Sequence, residues 1–162
     1  MVDGTATDAA GRAAIAAFRS ALPAEGSLLA LDLSRRRIGL AGTDAARRLV
    51  RPLHTLERQG MAADIARLAT LCRERQVAAL VIGLPLNMDG SDGPAARTLR
   101  GWARHLAGAL ALPVFLQDER LTSEAVRHAI DEGKLGRPKP AAPLDHYAAA
   151  VILEDALRLL GG

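Results

Sequence analysis

The chain lacks the residues that mark several common protein classes. Its single cysteine, Cys72, can form no disulfide within the chain and cannot by itself supply a zinc cluster. Only four of its 162 residues are aromatic. This scarcity argues against modules that bind single-stranded nucleic acid by stacking bases on a row of exposed rings.

Long apolar runs are also missing. The longest stretches without a formal charge, 77–88 and 106–117, are much shorter than the roughly 20 residues that a membrane span needs. Residues 1–8 begin acidic, without the basic start and apolar run of a secretory signal. With one cysteine, these features predict a cytoplasmic protein that has no membrane partner.

Lysine is scarce, because 19 of the 21 basic residues are arginine. The planar guanidinium suits phosphate, and the formal charge of +3 mildly favours an anionic partner. Genome base composition can also produce an arginine-rich chain, so this evidence is weak alone. The length, with 49% hydrophobic and 24% charged residues, predicts one globular domain.

The apolar pattern predicts a helical extension over 1–26, with its helix at 8–21, followed by a single domain over 27–162. Strands at 27–33, 37–41 and 48–53 would form an antiparallel meander. The remaining predicted elements are a helix at 61–75, a strand at 77–83, a helix at 93–110 capped by Asp92 or Ser91, a strand at 113–117, a helix at 123–131, a loop at 131–142 and a helix from Pro143 to about Leu160. This order predicts an α/β fold with one mixed sheet covered by helices.

Asp32 is an acid in an otherwise apolar strand. Alternation places it on the same strand face as Leu28 and Ala30. Burying an unpaired carboxylate costs on the order of several kcal/mol, so Asp32 requires a metal, a cation or hydrogen-bond donors. The alternative is an acid that caps the turn at 34–37.

Asp145 lies on the apolar face of the last predicted helix. That face contains Ala148, Ala149, Ile152, Leu153, Ala156, Leu159 and Leu160. A carboxylate at a helix start is also favoured by the helix dipole, which is the alternative explanation.

Asp118 and Glu119 directly follow the predicted strand at 113–117. Open α/β sheets bind ligands beyond the carboxyl ends of their strands, so this pair occupies a common place for chemistry. The alternative is a surface ion pair with Arg120, with Thr122 capping the next helix.

Four segments together carry a family resemblance: 31–41 (LDLSRRRIGLA), 81–90 (VIGLPLNMDG), 118–123 (DERLTS) and 144–153 (LDHYAAAVIL). They resemble the signature blocks of the bacterial YqgF/RuvX family, which is assigned to pre-16S rRNA nuclease activity and is distantly similar to RuvC Holliday-junction resolvases. The resemblance covers about residues 27–160. It implies an RNase H-like fold with a five-stranded mixed sheet, an antiparallel meander followed by parallel strands, flanked by helices, with the N-terminal helix as an extra element.

The resemblance also implies a metal-dependent nuclease with catalytic Asp32, Glu119 and Asp145. These carboxylates would hold Mg²⁺ or Mn²⁺, as two ions in a two-metal-ion mechanism. Asp118 is the second choice of ligand. These are the same acids that the strand and helix patterns single out.

Predicted substrate contacts surround this trio: Ser34, Arg35, Arg36, Arg37, Asn87, Arg120 and Thr122. Each has a plainer alternative as a turn, loop or capping residue. The family usually has glycine where this chain has Ala30 and Ser34, so we expect perturbed phosphate binding there. His146 replaces a small family residue, and we expect it to face solvent.

The resulting hypothesis is a phosphodiester hydrolase that processes the 5′ end of pre-16S rRNA during ribosome biogenesis, as a monomer or homodimer. One alternative is a junction-resolving DNA nuclease, which would need two active sites on one four-way junction. Another is a non-catalytic ribosome-assembly or transcription-associated protein that binds nucleic acid. Ser34 favours the second alternative, and the intact acidic trio opposes it.

Overall fold

The computed structural model describes residues 2–3, 9–119 and 145–161 of the chain, with side chains for 12–119 and 146–161. The elements are β1 (Val2–Asp3), α1 (Ala9–Ala21), β2 (Ser27–Leu33), β3 (Arg37–Thr43), β4 (Val50–Glu57), α2 (Met61–Glu74), β5 (Val77–Leu84), α3 (Pro94–Leu110), β6 (Val114–Asp118) and α4 (Asp145–Leu159). The predicted helix at 123–131 and loop at 131–142 lie outside the described residues.

The strands form one mixed sheet in the order β1-β6-β5-β2-β3-β4. Strands β2, β3 and β4 are an antiparallel meander, whereas β5 is parallel to both β2 and β6. The predicted five-stranded mixed sheet is therefore confirmed. The two-residue β1, which pairs in parallel with β6, adds a sixth strand that is too short for periodicity to reveal.

Helices cover both faces of this sheet. On one face, α2 and α3 pack on a core that includes Leu29, Leu31 and Trp102. On the other face, α1 and α4 pack on a core that includes Leu28 and Ala30. Strand β5 is buried along its whole length because it has a strand on each side and helices above and below. No helix within the described ranges is long and apolar enough to cross a membrane.

Two local predictions were wrong. Helix α3 has Gly93 at its N-cap without a side-chain capping bond, because Asp92 instead accepts hydrogen bonds from the Arg100 Nε at 2.7 Å and Nη2 at 3.1 Å. Leu159, predicted on the apolar face of α4, is 42% exposed. It lies in the last turn of the helix, where its carbonyl accepts a hydrogen bond from Arg19 of α1.

Helix α1 packs directly on the sheet. Phe18 is fully buried, and its ring centroid lies 5.1 Å from that of Phe115 in β6. Arg19 donates to the Leu159 carbonyl oxygen at 3.1 Å, which ties α1 to the end of α4. The predicted extension therefore contributes side chains to the same core as α4.

We expect Phe18→Ala to lower the free energy of unfolding by about 3–5 kcal/mol, because it leaves a cavity against Phe115. Urea unfolding followed by circular dichroism measures this. Leu49→Ala is the control, since Leu49 is 57% exposed and its truncation should cost about 0.5 kcal/mol or less. Equal effects of the two substitutions would contradict the docking of α1.

Candidate active site

Asp32 lies near the carboxyl end of β2, on the sheet face covered by α4. It is half-buried and two residues beyond Ala30, which packs in the α4 core. Its antiparallel partner on β3 is Gly39. On the other side, Leu31 pairs with Ile82, so the next residue of β5, Gly83, lies beside Asp32. Asp32 is thus flanked by two positions that carry no side chain.

The space above Gly83 is occupied by the Glu119 side chain. A Cβ atom built on Gly83 would collide with the Glu119 Oε2 and would lie 2.6 Å from the Ile152 Cδ1 of α4. Glycine inside a strand often marks such a close approach. The backbone N–H of Glu119 also donates to the Leu84 carbonyl oxygen at 3.1 Å. Glu119 is therefore held over the sheet, on the same face as Asp32.

Burial, together with the negative charges of Asp32 and Asp118, raises the pKa of Glu119 to about 8. In the metal-free protein this carboxyl group therefore holds a proton at neutral pH. A bound cation would reverse the effect, because positive charge favours the ionised form. Carboxylates gathered in this way are a recognisable feature of functional sites.

The third predicted ligand, Asp145, is the first residue of α4. Only its backbone is described. Ile152, seven residues later and so on the same side of the helix, contacts the space above Gly83. Helix α4 packs across β2, β3 and β4. Among the side chains that the structure describes, no three His, Cys, Asp or Glu groups are placed to hold a metal ion, so the trio stays a prediction.

His146 does not face solvent, and that expectation was wrong. Its ring is half-buried, and Nδ1 shares a hydrogen bond of 3.0 Å with the Thr55 hydroxyl of β4. The partner is 91 residues away in the chain, so no local pattern indicates it.

The predicted phosphate-binding arginines lie in the turn between β2 and β3. Arg35 and Arg36 are exposed, and Arg37 begins β3. The Ser34 hydroxyl accepts a hydrogen bond from the Arg37 N–H at 3.1 Å and donates to the Arg37 carbonyl oxygen at 3.2 Å. Ser34 therefore closes the turn that presents the two exposed guanidinium groups.

Arg58, which the sequence analysis did not select, anchors this turn. Its N–H donates to the Arg36 carbonyl oxygen at 2.8 Å, and its Nη1 donates to the Ser34 carbonyl oxygen at 3.0 Å. Its guanidinium carbon lies 5.9 Å from the centroid of the Trp102 ring of α3. These contacts join the turn to the opposite helical layer.

The buried Asp64 of α2 supports Arg58 from below, with its Oδ2 3.6 Å from the Arg58 Nε. Burial acts to raise the pKa of Asp64. Hydrogen bonds from the Gln59 N–H at 2.9 Å and the Arg67 Nη2 at 2.6 Å outweigh it, so the pKa lies below its usual value. Asp64 therefore stays ionised and keeps both arginines in place.

Of the other predicted contacts, Asn87 closes the loop between β5 and α3. Its N–H donates to the Ser91 carbonyl oxygen at 2.9 Å, and its Nδ2 donates to the Ser91 hydroxyl at 3.0 Å. Arg120 and Thr122 lie outside the described residues. Substrate binding by all three stays a prediction.

The fold has a close counterpart among solved structures. Thermus thermophilus RuvC in complex with a Holliday junction substrate superposes with a TM-score of 0.58 at 15% sequence identity, over 84% of this chain and 96% of that chain. Free Thermus thermophilus RuvC gives a TM-score of 0.54 at 14% identity, over 83% of this chain and 96% of that chain. This likeness identifies the fold as RuvC-like, within the RNase H-like class.

Sequence relatives define the class of activity. A protein of Bradyrhizobium sp. named "Putative pre-16S rRNA nuclease" is 45% identical over 83% of this chain and 84% of its own length. A Cereibacter sphaeroides protein of the same name is 44% identical over 86% of this chain and 88% of its own length. Together with the fold, they define a nuclease of RNase H-like architecture. The chain belongs to the RuvX family, because the family model described as "Holliday junction resolvase" matches residues 26–159.

We expect Gly83→Ala to displace Glu119 and Ile152, and thereby to lower both the free energy of unfolding, by about 1–3 kcal/mol, and the nuclease activity. Urea unfolding and a cleavage assay measure the two effects. Gly101→Ala is the matched control, because nothing lies within 4 Å of its added Cβ and alanine favours a helix by up to about 1 kcal/mol. A fully active and stable Gly83→Ala protein would disprove the close approach.

The raised pKa of Glu119 predicts a pH dependence for the metal-free protein. Between the unfolded value of 4.5 and the folded value of about 8, the folded state binds the proton more tightly. The free energy of unfolding should therefore fall as pH rises through this window and level off above it. Urea unfolding in chelator from pH 5 to 9 should show this fall in the wild type and not in Glu119→Gln. The exposed Glu154→Gln control should follow the wild type.

Proposed function

We propose that this chain hydrolyses phosphodiester bonds of pre-16S rRNA, with Asp32, Glu119 and Asp145 as the ligands of two Mg²⁺ or Mn²⁺ ions. The placement of Glu119 in the space above Gly83, beside Asp32, is the observation that carries this proposal. It explains why glycine stands opposite Asp32 on both neighbouring strands, Gly39 on β3 and Gly83 on β5, since a larger side chain would fill the space that the carboxylates need.

The residues fit a hard divalent cation. Their donors are carboxylate oxygens, which Mg²⁺ and Mn²⁺ prefer. The pKa of Glu119, raised by burial and by Asp32 and Asp118, describes a carboxyl group in a negative field that a cation would neutralise. Such an ion supplies an activated water and stabilises the charge that develops on the phosphate and leaving oxygen.

The protein groups prepare this chemistry. Glu119 must release its proton before it can bind a cation, so cation affinity rises with pH. Asp32 keeps its position through the paired main chains of β2, β3 and β5. Arg35 and Arg36 would bind the phosphates that flank the scissile bond, from a turn that Arg58 holds in place.

We favour pre-16S rRNA as the substrate because the relatives named "Putative pre-16S rRNA nuclease" match most of this chain. The protein that acts on it would work in the bacterial cytoplasm. The few aromatic side chains agree with recognition through phosphates and shape, which is common for structured RNA. A DNA junction is the second candidate, since the family description and the RuvC structure both refer to Holliday junctions.

We expect Asp32→Asn and Glu119→Gln each to lower the cleavage rate by about 100-fold or more, at least as much as the loss of an outer-shell partner of a metal site. The assay compares precursor rRNA, single-stranded DNA and a four-way junction, in Mg²⁺, Mn²⁺ and chelator. Asp155→Asn is the control, because this acid lies at the far end of α4 and pairs with Arg158.

The substrates separate the competing functions. Faster cleavage of precursor rRNA supports the proposed substrate, and faster cleavage of the junction supports the resolvase alternative. RNA binding without cleavage of any substrate would support the alternative of a non-catalytic binding protein over the nuclease. Undiminished cleavage by Asp32→Asn would refute the role of the carboxylates.

A further inference from the structure

A side-chain hydrogen bond joins the start of α4 to the edge strand β4. The Thr55 hydroxyl and the His146 Nδ1 lie 3.0 Å apart, and both side chains are half-buried. His146 directly follows Asp145 at the beginning of the helix. The hydrogen bond is therefore made by the residue next in the chain to Asp145, the third predicted ligand.

Thr55 belongs to the same cross-strand row as Asp32. Thr55 pairs with Gly39 of β3, and Gly39 pairs with Asp32 of β2. Paired residues share a sheet face, and neighbouring strands lie about 4.8 Å apart, so Thr55 is about 10 Å from Asp32 on the α4 side. Gly39, between them, adds no side chain to the row. The hydrogen bond thus connects the start of α4 to the row of paired residues that contains Asp32.

The alanines of the next turn of α4 cannot set its rotation as a hydrogen bond can. Beyond Tyr147, whose ring centroid lies 4.3 Å from that of His146, the helix continues with three alanines, Ala148 to Ala150, whose methyl groups pack without directional preference. A hydrogen bond depends on both distance and angle, so it fixes the rotation of the first turn as well as its height above the sheet.

We propose that Thr55 and His146 are positioning residues that place Asp145 over Asp32 and so complete the metal site. This inference rests on the proposed function, in which Asp145 is a ligand. It extends that function to a pair of residues that bind neither substrate nor metal. Their effect is on the geometry of the third carboxylate, and ligand orientation of this kind commonly changes metal affinity by about 10–100-fold.

The test uses the full chain with Thr55→Val, which keeps the shape of the side chain and removes the hydroxyl, and Thr55→Ser, which keeps the hydroxyl. Calorimetric titration with Mn²⁺ measures affinity without nucleic acid, and cleavage assays give kcat and KM separately. We expect Thr55→Val to weaken Mn²⁺ binding by about 10–100-fold and to lower kcat with KM nearly unchanged. Thr55→Ser should restore affinity to within about threefold of the wild type.

A double-substitution cycle tests whether the two residues act together. His146→Phe keeps an aromatic ring and removes Nδ1, so it should weaken Mn²⁺ binding as Thr55→Val does. The double variant should be no weaker than either single variant, because both remove the same contact. Additive losses would overturn the proposal.

Amide hydrogen exchange of the metal-free protein supplies a readout that needs no metal. Exchange at residues 147–150 should be faster in Thr55→Val than in Thr55→Ser, with the same thermal midpoint for the rest of the fold. Unchanged exchange and unchanged Mn²⁺ affinity in Thr55→Val would overturn the positioning role, even if Asp32→Asn abolishes Mn²⁺ binding. If the wild type binds no Mn²⁺, the proposed metal site fails, and the exchange result still decides whether the hydrogen bond orders the start of α4.

Discussion

Repulsion between carboxylates at one edge of the sheet is the constraint on which the rest of the site depends. Burial, together with the negative charges of Asp32 and Asp118, raises the pKa of Glu119 to about 8 and keeps its proton in place at neutral pH. Carboxyl groups remain this close together only where the fold of the backbone holds them there. Here the main-chain pairing of β2 and β5 and the hydrogen bond from the Glu119 N–H to Leu84 impose that proximity. Folding therefore assembles a negative site that a cation can relieve.

The same requirement explains the distribution of small residues on the α4 face of the sheet. Gly39 and Gly83 flank Asp32 on its two neighbouring strands, and Ala30 precedes it on its own strand. Each keeps the side-chain layer thin where the carboxylates gather. On the opposite face, the corresponding layer is filled by large side chains such as Leu31 and Trp102. Near the carboxyl end of β2, the α4 face thus leaves space for charge, whereas the rest of that face packs a core around Leu28 and Phe115.

Short-range patterns predicted most of the fold. Alternation in 27–33 placed Asp32 on the face of Leu28 and Ala30, and the structure confirms this because sheet periodicity survives tertiary packing. The wrong predictions all depend on contacts or exposure that only the folded chain determines. His146 finds Thr55, Asp92 finds Arg100 two turns along α3, and Leu159 lies in the last, exposed turn of α4. The anchoring of Arg58 by Asp64 and Trp102 was missed because it too depends on tertiary packing. The close approach at Gly83 was also not predicted, although a glycine inside the apolar strand β5 is a signal that could have indicated it.

The anchored arginine turn bears on how a polyanion would bind in the proposed function. Because Arg58 holds the Ser34 and Arg36 carbonyl oxygens, the backbone beneath Arg35 and Arg36 has already lost its conformational freedom when the protein folds. A phosphate bound there, as proposed, would need to order only the side chains of Arg35 and Arg36. The entropic cost of ordering that backbone is thus met during folding and does not reduce affinity. The rigidity also favours backbones whose phosphate spacing matches the turn, so discrimination can come from shape without contact to a base.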